Sequence, residues 1–118
     1  MCIRDRQSAQ GSGFLAQLTA DWEMAAQPAI DANVRTCFLR TGVVLDRSDG
    51  ALKKLLPLFR LGLGGKMGNG NQYWSWITLQ DEVNSIIHLI NSDISGPVNL
   101  TSPNPSTNAE LTLSLIHI

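Results

Sequence analysis

Residues 34–45 read VRTCFLRTGVVL, and this stretch decides the fold. It is too continuously apolar for a strand that keeps one face in water. Such runs are typical of parallel sheets, whose strands are covered on both faces. We therefore predict a buried strand of a parallel sheet here, and we expect the chain to leave the sheet around Gly42.

Helical patterns lie on both sides of this strand. Before it, apolar residues recur at spacings of three and four from Ser12 to Ile30, and Ser12 is a suitable N-cap. After it, a second helix is predicted to start near Asp49, with Pro57 as a kink or an end. The apolar side of this second helix consists of Leu52, Leu55, Leu56 and Phe59. Helices that flank a buried strand indicate a βαβ architecture.

The second half of the chain continues this alternation. We predict a short strand in YWSWI (73–77), a helix in TLQDEVNSIIHLINS (78–92) and a short buried strand in GPVNLTS (96–102). In a βαβ architecture, the strands near 34–41 and 97–100 should run parallel.

Capping signals define two helix starts in this half. Thr78 and Asp81 have the spacing of a capping box, and so do Thr107 and Glu110, which are predicted to open a last helix. The predicted buried face of the helix at 78–92 consists of Val83, Ile86, Ile87 and Ile90.

A glycine-rich segment, LGLGGKMGNGNQYWSW (61–76), connects the second helix to the aromatic strand. A phosphate-binding P-loop requires Ser or Thr after its lysine and a helix after the loop, whereas Lys66 precedes Met67 and a strand follows. A glycine-permitted connection with several residues at positive φ is therefore the favoured interpretation. The length of the loop and its neighbouring aromatic residues are also typical of functional loops.

Composition limits the classes of function. A chain of 118 residues with 43% hydrophobic residues and a net charge of -1 suits one α/β domain, and its scattered basic residues predict no nucleic-acid partner. No apolar run approaches the roughly 20 residues of a membrane span, and no signal peptide is evident, so we expect a cytoplasmic protein without a membrane partner. Cys37 is predicted to be a buried, reduced thiol, and no metal site is expected, because His88 lies far from a second His or Cys.

The two ends of the sequence are related to each other at the level of DNA. One permitted coding of MCIRDR (1–6) is the reverse complement of a coding of LSLIHI (113–118). The shared string resembles the adapter that transposase-based library preparation leaves at both ends of a fragment. We therefore expect both segments to be adapter-like artefacts with few defined contacts, and Cys2 and His117 to carry no chemistry. The alternating pattern of LSLIHI also suits a genuine strand.

Three long stretches carry a family resemblance: FLAQLTADWEMAAQPA (14–29), the run from VRTCFLR to LQDEV (34–83), and GPVNLTSPNPSTNAEL (96–111). Their most specific elements are DWE, LRTGVVL, FRLGLGG and NLTSPNPSTNAE. They resemble the middle and C-terminal part of the epimerase-like family of extended short-chain dehydrogenases/reductases, which comprises NAD-dependent epimerases/dehydratases of the sugar-nucleotide epimerase type.

The resemblance implies an α/β fold and a cofactor. Residues 7–112 would form the C-terminal portion of a doubly wound, Rossmann-type parallel sheet that binds NAD or NADP. The segment 46–81 would belong to a small substrate lobe. The glycine-rich fingerprint for the cofactor pyrophosphate would lie before residue 7, so the chain itself is expected to be a fragment.

The resemblance also implies the residues of a site. Arg40, Thr41, Gly42 and Val43 would lie at the nicotinamide end of the cofactor, although Arg40 suits a salt-bridged strand end equally well. Gln72, Trp74 and Trp76 would hold a small-molecule substrate. Members that use nucleotide sugars commonly have a phosphate-binding arginine where Trp74 stands, which weighs against a nucleoside-diphosphate sugar.

No catalytic residue is assigned. The resemblance places the superfamily's active-site tyrosine before residue 7, and no Tyr-x-x-x-Lys pair occurs in this chain. Asp21 and Glu23 point apart on a helix and are expected to be solvated charges, with a Glu23 that faces the pocket as the alternative that the resemblance implies. The resemblance implies an NAD(P)-dependent epimerase/dehydratase-like oxidoreductase that acts on a small polar, sugar-like substrate and is inactive as the isolated fragment. A non-catalytic dinucleotide-binding protein of the same fold is the alternative, and an α/β fragment without function is a third. The oligomeric state is left open.

Overall fold

The structure is a computed structural model that describes residues 11–117. Helices in this range are α1 (Phe14–Met24), α2 (Gln27–Asp31), α3 (Gly50–Arg60), α4 (Leu79–Ile90) and α5 (Asn108–Ile116). Strands are β1 (Cys37–Thr41), β2 (Val43–Leu45), β3 (Tyr73–Trp74), β4 (Trp76–Thr78), β5 (Gly96–Leu100) and β6 (Ser106–Thr107). None of the helices described is both long enough and apolar enough to cross a membrane.

The strands form three pairs. Strand β1 runs parallel to β5, from Cys37 opposite Gly96 to Thr41 opposite Leu100, which confirms the predicted parallel arrangement. Strand β2 runs parallel to β4, and β3 pairs with β6 in antiparallel fashion. The stretches predicted as single strands at 34–45 and 73–77 are therefore each divided in two.

Gly42 and Ser75 are the points of division, and they contact each other. The Gly42 N–H donates to the carbonyl oxygen of Leu100 at 3.0 Å, in continuation of the β1–β5 pair. The next amide, that of Val43, donates to the Ser75 carbonyl at 2.8 Å and begins the β2–β4 pair. The chain thus exchanges one parallel partner for another within a single residue.

The core lies between the strands and α4. Ile77, Leu89 and Leu100 form its buried centre, and Val44, Ile86 and Val98 pack against them. The prediction of a strand buried on both faces is wrong for β1, since Leu39 is 42% exposed. The physical reason is that, within residues 11–117, β1 has a strand neighbour on one side alone, and helix α1 buries none of its residues.

The first predicted helix is also divided. It ends at Met24, and the separate helix α2 begins at Gln27 with Pro28 in its first turn. Proline lacks an N–H and its ring collides with the carbonyl four residues earlier, so a continuous helix through this point would be disrupted. The N-cap of α1 is Gly13, and Ser12 does not cap it as expected.

Helices α3 and α4 begin as predicted. Asp49 accepts a hydrogen bond from the Gly50 amide at the start of α3, and Pro57 lies inside that helix without ending it. Thr78 caps α4 by accepting from the Asp81 amide at 3.1 Å.

The buried face of α4 differs from the prediction. Glu82, Ile86 and Leu89 face the core, whereas Val83, Ile87 and Ile90 are 43%, 52% and 66% exposed. Ile86 is therefore the one predicted position that packs against the core. Residues 82, 86 and 89 follow the same helical spacing, rotated to include a carboxylate, so periodicity alone could not select between the two stripes.

Helix α5 confirms the second capping box, in which Thr107 and Glu110 each accept from the other's backbone amide. The helix continues to Ile116, and Leu115 is buried. The expectation of few contacts is therefore wrong for 113–116, which are helical and neither a strand nor detached. Residues 1–6, with Cys2, and residue 118 lie outside the described range, and the adapter origin of both ends stays a prediction.

Arg35 connects β1 to the end of α4. Its guanidinium donates to the carbonyl oxygens of Leu89, Ile90 and Ile94 at 3.0, 3.1 and 2.9 Å. The last carbonyls of a helix have no intrahelical donor and carry partial negative charge, so a cation at this point stabilises the helix end.

We expect Arg35→Ala to lower the free energy of unfolding by about 1–2 kcal/mol, because three backbone acceptors lose a charged donor. Arg35→Lys should recover part of the loss, since an ammonium cannot reproduce the planar geometry. Urea titration followed by circular dichroism measures both variants. Arg47→Ala, at an exposed arginine before α3, is the control, and an equal loss there would contradict the assignment.

Gly42→Ala tests the contact between the divided strands. A Cβ at Gly42 would lie 2.8 Å from the Ser75 carbonyl oxygen, so the backbones must separate, at a cost of about 1–3 kcal/mol. Gly65→Ala is the matched control, because a Cβ there meets nothing within 4 Å. Thermal unfolding of the two variants should show a much lower midpoint for Gly42→Ala, and equal midpoints would refute the constraint.

Candidate functional site

A cavity of about 440 Å³ opens where the two divided strands meet. Its lining consists of Thr41, Gly42, Val43, Tyr73, Trp74 and Ser75. Thr41 is the last residue of β1, and Gly42 and Val43 follow it directly. The cavity therefore lies beyond the carboxyl end of a parallel strand, the position at which open α/β sheets bind their ligands.

The cavity brings together residues that were predicted from separate parts of the sequence. Thr41, Gly42 and Val43 come from the expected cofactor set, and Trp74 comes from the expected substrate set. Sequence reasoning missed Tyr73 and Ser75. The aromatic cluster contained both, but its spacing carried no signal that the Ser75 backbone would contact Gly42.

The other three predicted site residues lie outside the lining of this cavity. The Arg40 guanidinium donates to both carboxylate oxygens of Glu23, from Nε and Nη2, each at 2.9 Å. Gln72 donates through Nε2 to the Met67 carbonyl at 2.8 Å. Trp76 donates through Nε1 to the Ser106 hydroxyl at 3.4 Å.

These contacts separate the two interpretations of Arg40. The structure favours the salt-bridged strand end over a residue that lines the cavity. Glu23 remains a partly solvent-exposed charge, as expected, and the same ion pair holds its carboxylate beside β1.

The glycine-rich loop is attached to the start of α5. The Met67 amide donates to Asn108 Oδ1 at 2.7 Å, and the Asn108 and Ala109 amides donate to the carbonyls of Gln72 and Gly70 at 2.8 and 3.0 Å. Loop carbonyls thus occupy amides at this helix start that could otherwise bind an anion.

The backbone conformation of the glycine-rich loop is that of a connection between two elements. Gly62, Gly68 and Gly70 have φ values of 73°, 58° and 75°, which confirms the predicted positive φ angles. The loop is a structured connection, as the sequence favoured.

Glu82 is a third residue that was not predicted from the sequence. Its side chain is buried in the first turn of α4, and Oε1 accepts a hydrogen bond from the Thr41 hydroxyl at 2.9 Å. Its other oxygen, Oε2, is buried without a hydrogen-bond partner in the described part of the chain. A charged residue near a helix start usually faces water, so the sequence carried no signal for its burial.

Residues 11–117 contain no group of three or more His, Cys, Asp or Glu side chains that could hold a metal ion. The lining of the cavity offers hydroxyl, backbone and aromatic groups.

Comparison with known proteins gives a consistent set of relatives for this chain. No family model matches it. A Mycobacterium bovis protein, epimerase family protein Mb2239, is 50% identical over 111 residues, which are 93% of this chain and 37% of that protein. The chain is a homologue of the epimerase family proteins. It spans little more than a third of the length of this relative. The match confirms the resemblance to the epimerase-like family that the sequence motifs indicated.

Solved structures of this family show the same fold. The nucleoside-diphosphate sugar epimerase of Corynebacterium glutamicum matches 93% of this chain with a TM-score of 0.85 and 41% identity, over 24% of its own chain. Human epimerase family protein SDR39U1, solved with NADPH, matches 95% of this chain with a TM-score of 0.84 and 35% identity, over 40% of its own chain. These matches confirm the predicted Rossmann-type α/β class.

The Glu23–Arg40 pair should make stability depend on pH. Hydrogen bonds from Arg40 hold the pKa of Glu23 below its ordinary value of 4.5. A lowered pKa means that the stabilisation is complete above pH 4.5 and is lost as the pH falls through the folded-state pKa. Because both side chains are more than a third exposed, Glu23→Gln should cost less than about 1 kcal/mol at neutral pH.

Urea titrations of the Glu23→Gln variant and the parent chain across the acidic range measure this difference. It should shrink below pH 4.5 and vanish in strong acid. A difference that stays constant with pH would show that the ion pair is not its source.

Proposed function

We propose that this chain forms the nicotinamide end and part of the substrate lobe of an NAD(P)-dependent, epimerase/dehydratase-like oxidoreductase that acts on a small polar, sugar-like substrate. The observation that carries the proposal is the cavity in which Thr41, Gly42 and Val43 meet Trp74. In the proposed role, the first three residues face the cofactor and Trp74 faces the substrate.

The residues of the cavity fit the nicotinamide group of NAD or NADP. Gly42 has no side chain and packs closely on the Ser75 backbone, so it contributes backbone atoms to the wall of the cavity. Tyr73 adds an aromatic ring, and Thr41 adds a hydroxyl. A bound nicotinamide ring supplies hydride transfer, and this chain's residues would bind the ring, orient it and exclude water from one side.

The same cavity favours a neutral polar substrate. None of its six lining residues carries a charge, so it offers no guanidinium or ammonium for a diphosphate. The partly buried Trp74 offers an apolar ring surface, which suits the CH face of a sugar ring. Gln72 and Trp76, which flank this tryptophan in sequence, are proposed to shape the substrate side of the site.

A non-catalytic dinucleotide-binding protein is the second candidate. No Tyr-x-x-x-Lys pair lies in this chain, whose single tyrosine, Tyr73, is followed four residues later by Ile77, and the resemblance places the active-site tyrosine in the preceding part of the parent protein. A tyrosine with a nearby lysine there would favour the enzyme, and a cofactor fingerprint without them would favour the non-catalytic protein. Both candidates share the cofactor cavity and differ in proton transfer.

Calorimetric titration with NADPH tests the cofactor assignment. We expect no measurable binding by the chain alone, because the glycine-rich loop does not provide the helix N-terminus that anchors a pyrophosphate. A chimera in which this chain replaces the matching 111 residues of the mycobacterial relative should bind NADPH. Tight binding by the chain alone would show that the cofactor lies elsewhere.

The substrate side is tested in the same chimera after saturation with NADPH. Trp74→Ala should weaken glucose binding about tenfold and leave NADPH affinity nearly unchanged, while UDP-glucose should bind no better than glucose. Trp22→Ala, at a tryptophan of α1 that is 79% exposed, is the matched control. Preferred binding of UDP-glucose would contradict the neutral-substrate assignment.

A further inference from the structure

The hydrogen bond between Thr41 and Glu82 restricts what the cavity can recognise. Thr41 lines the cavity, and its hydroxyl lies 2.9 Å from Glu82 Oε1. A carboxylate can only accept hydrogen bonds, so the single hydroxyl hydrogen of Thr41 is directed at Glu82. What Thr41 can still offer to a ligand is an oxygen lone pair.

Glu82 holds this orientation firmly. The side chain is 9% exposed and belongs to α4, whereas Thr41 ends β1, so the bond joins two separate elements at the cavity. The second oxygen of Glu82 is buried without a partner in the described residues, which makes the carboxylate unfavourable for stability at this position. Local arrangements that cost stability are typical of functional sites.

We infer that Glu82 is a positioning residue that turns Thr41 into an obligate hydrogen-bond acceptor, so that the cavity selects a ligand group carrying an N–H or O–H donor. This inference rests on the proposed function. Two ligands of that function carry such a donor: the cofactor has the amide of its nicotinamide, and a sugar-like substrate has hydroxyl groups.

Four variants of the chimera separate these roles. Thr41→Ser keeps the hydroxyl, Thr41→Val removes it, Glu82→Leu removes the carboxylate, and the double variant removes both. Each is titrated with NADPH and with the reduced acetylpyridine analogue of NADP, in which a methyl group replaces the amide nitrogen. The ratio of the two affinities reports whether a donor is recognised.

If the cofactor amide is the donor, Thr41→Val should reduce the preference for NADPH over the analogue about tenfold, the effect of one lost hydrogen bond. Glu82→Leu should also reduce the preference for NADPH, because the Thr41 hydroxyl can then rotate and donate a hydrogen bond. Thr41→Ser should keep the preference. If the substrate supplies the donor, the ratio stays constant, and glucose binding to the NADPH-saturated chimera weakens about tenfold in Thr41→Val.

Thermal unfolding of the same variants of the chain itself distinguishes positioning from a structural role. Glu82→Leu should leave the midpoint unchanged or raise it, since a buried oxygen without a partner is removed. Thr41→Val should lower the midpoint of thermal unfolding, and the double variant should recover the midpoint of the parent chain. A lower midpoint for Glu82→Leu, with both ligand preferences intact, would overturn the inference.

The outcomes also separate this inference from the proposed function. If the unaltered chimera binds no NADPH, both are refuted. If it binds NADPH, and Thr41→Val changes neither the cofactor ratio nor the glucose affinity, the inference alone is refuted.

Discussion

The contact between Gly42 and the Ser75 backbone is the constraint on which the rest of the structure depends. At this point the chain exchanges β5 for β4 as its parallel partner, and the consecutive amides of Gly42 and Val43 donate to the carbonyl of Leu100 in β5 and to that of Ser75, just before β4. The exchange brings the backbones of Gly42 and Ser75 so close that a Cβ on Gly42 would lie 2.8 Å from the Ser75 carbonyl oxygen. Glycine is therefore required here for its size, while its freedom of φ is the property used in the loop at 61–72.

Fold and candidate site share this constraint. The same division of the strands that joins two parallel pairs also opens the cavity, since Thr41 ends one strand and Trp74 ends another. Glu82 reaches Thr41 in the lining of the cavity because α4 begins directly after β4, whose partner β2 follows Gly42. A change that separates Gly42 from Ser75 should therefore alter stability and ligand recognition together.

Apolar faces on α1 and α4 show that helical periodicity does not by itself predict burial. Phe14, Leu15 and Trp22 are 79%, 71% and 79% exposed, although they follow the helical spacing that usually marks a buried stripe. Periodicity identifies which residues share a face, but a face is buried only where another element covers it. The family structures that match this chain extend well beyond the matched segment, so they contain elements that this chain does not.

Local signals in the sequence determined the alternation of helices and strands, the caps at Asp49, Thr78 and Thr107, the parallel pairing of the strands near 34–41 and 97–100, and the exit of the chain at Gly42. Each of these depends on residues close in the chain or on a run of apolar residues, which sequence displays directly. Local signals did not show that the first helix and two of the strands are each divided in two. The family resemblance of the long motifs predicted the family and four of the six residues that line the cavity. Tertiary structure alone decided the contact of Gly42 with Ser75, the pairing of Arg40 with Glu23, and the burial of Glu82 against Thr41. These contacts join residues 17 to 41 positions apart, and their geometry follows from how the elements pack, which local pattern does not encode.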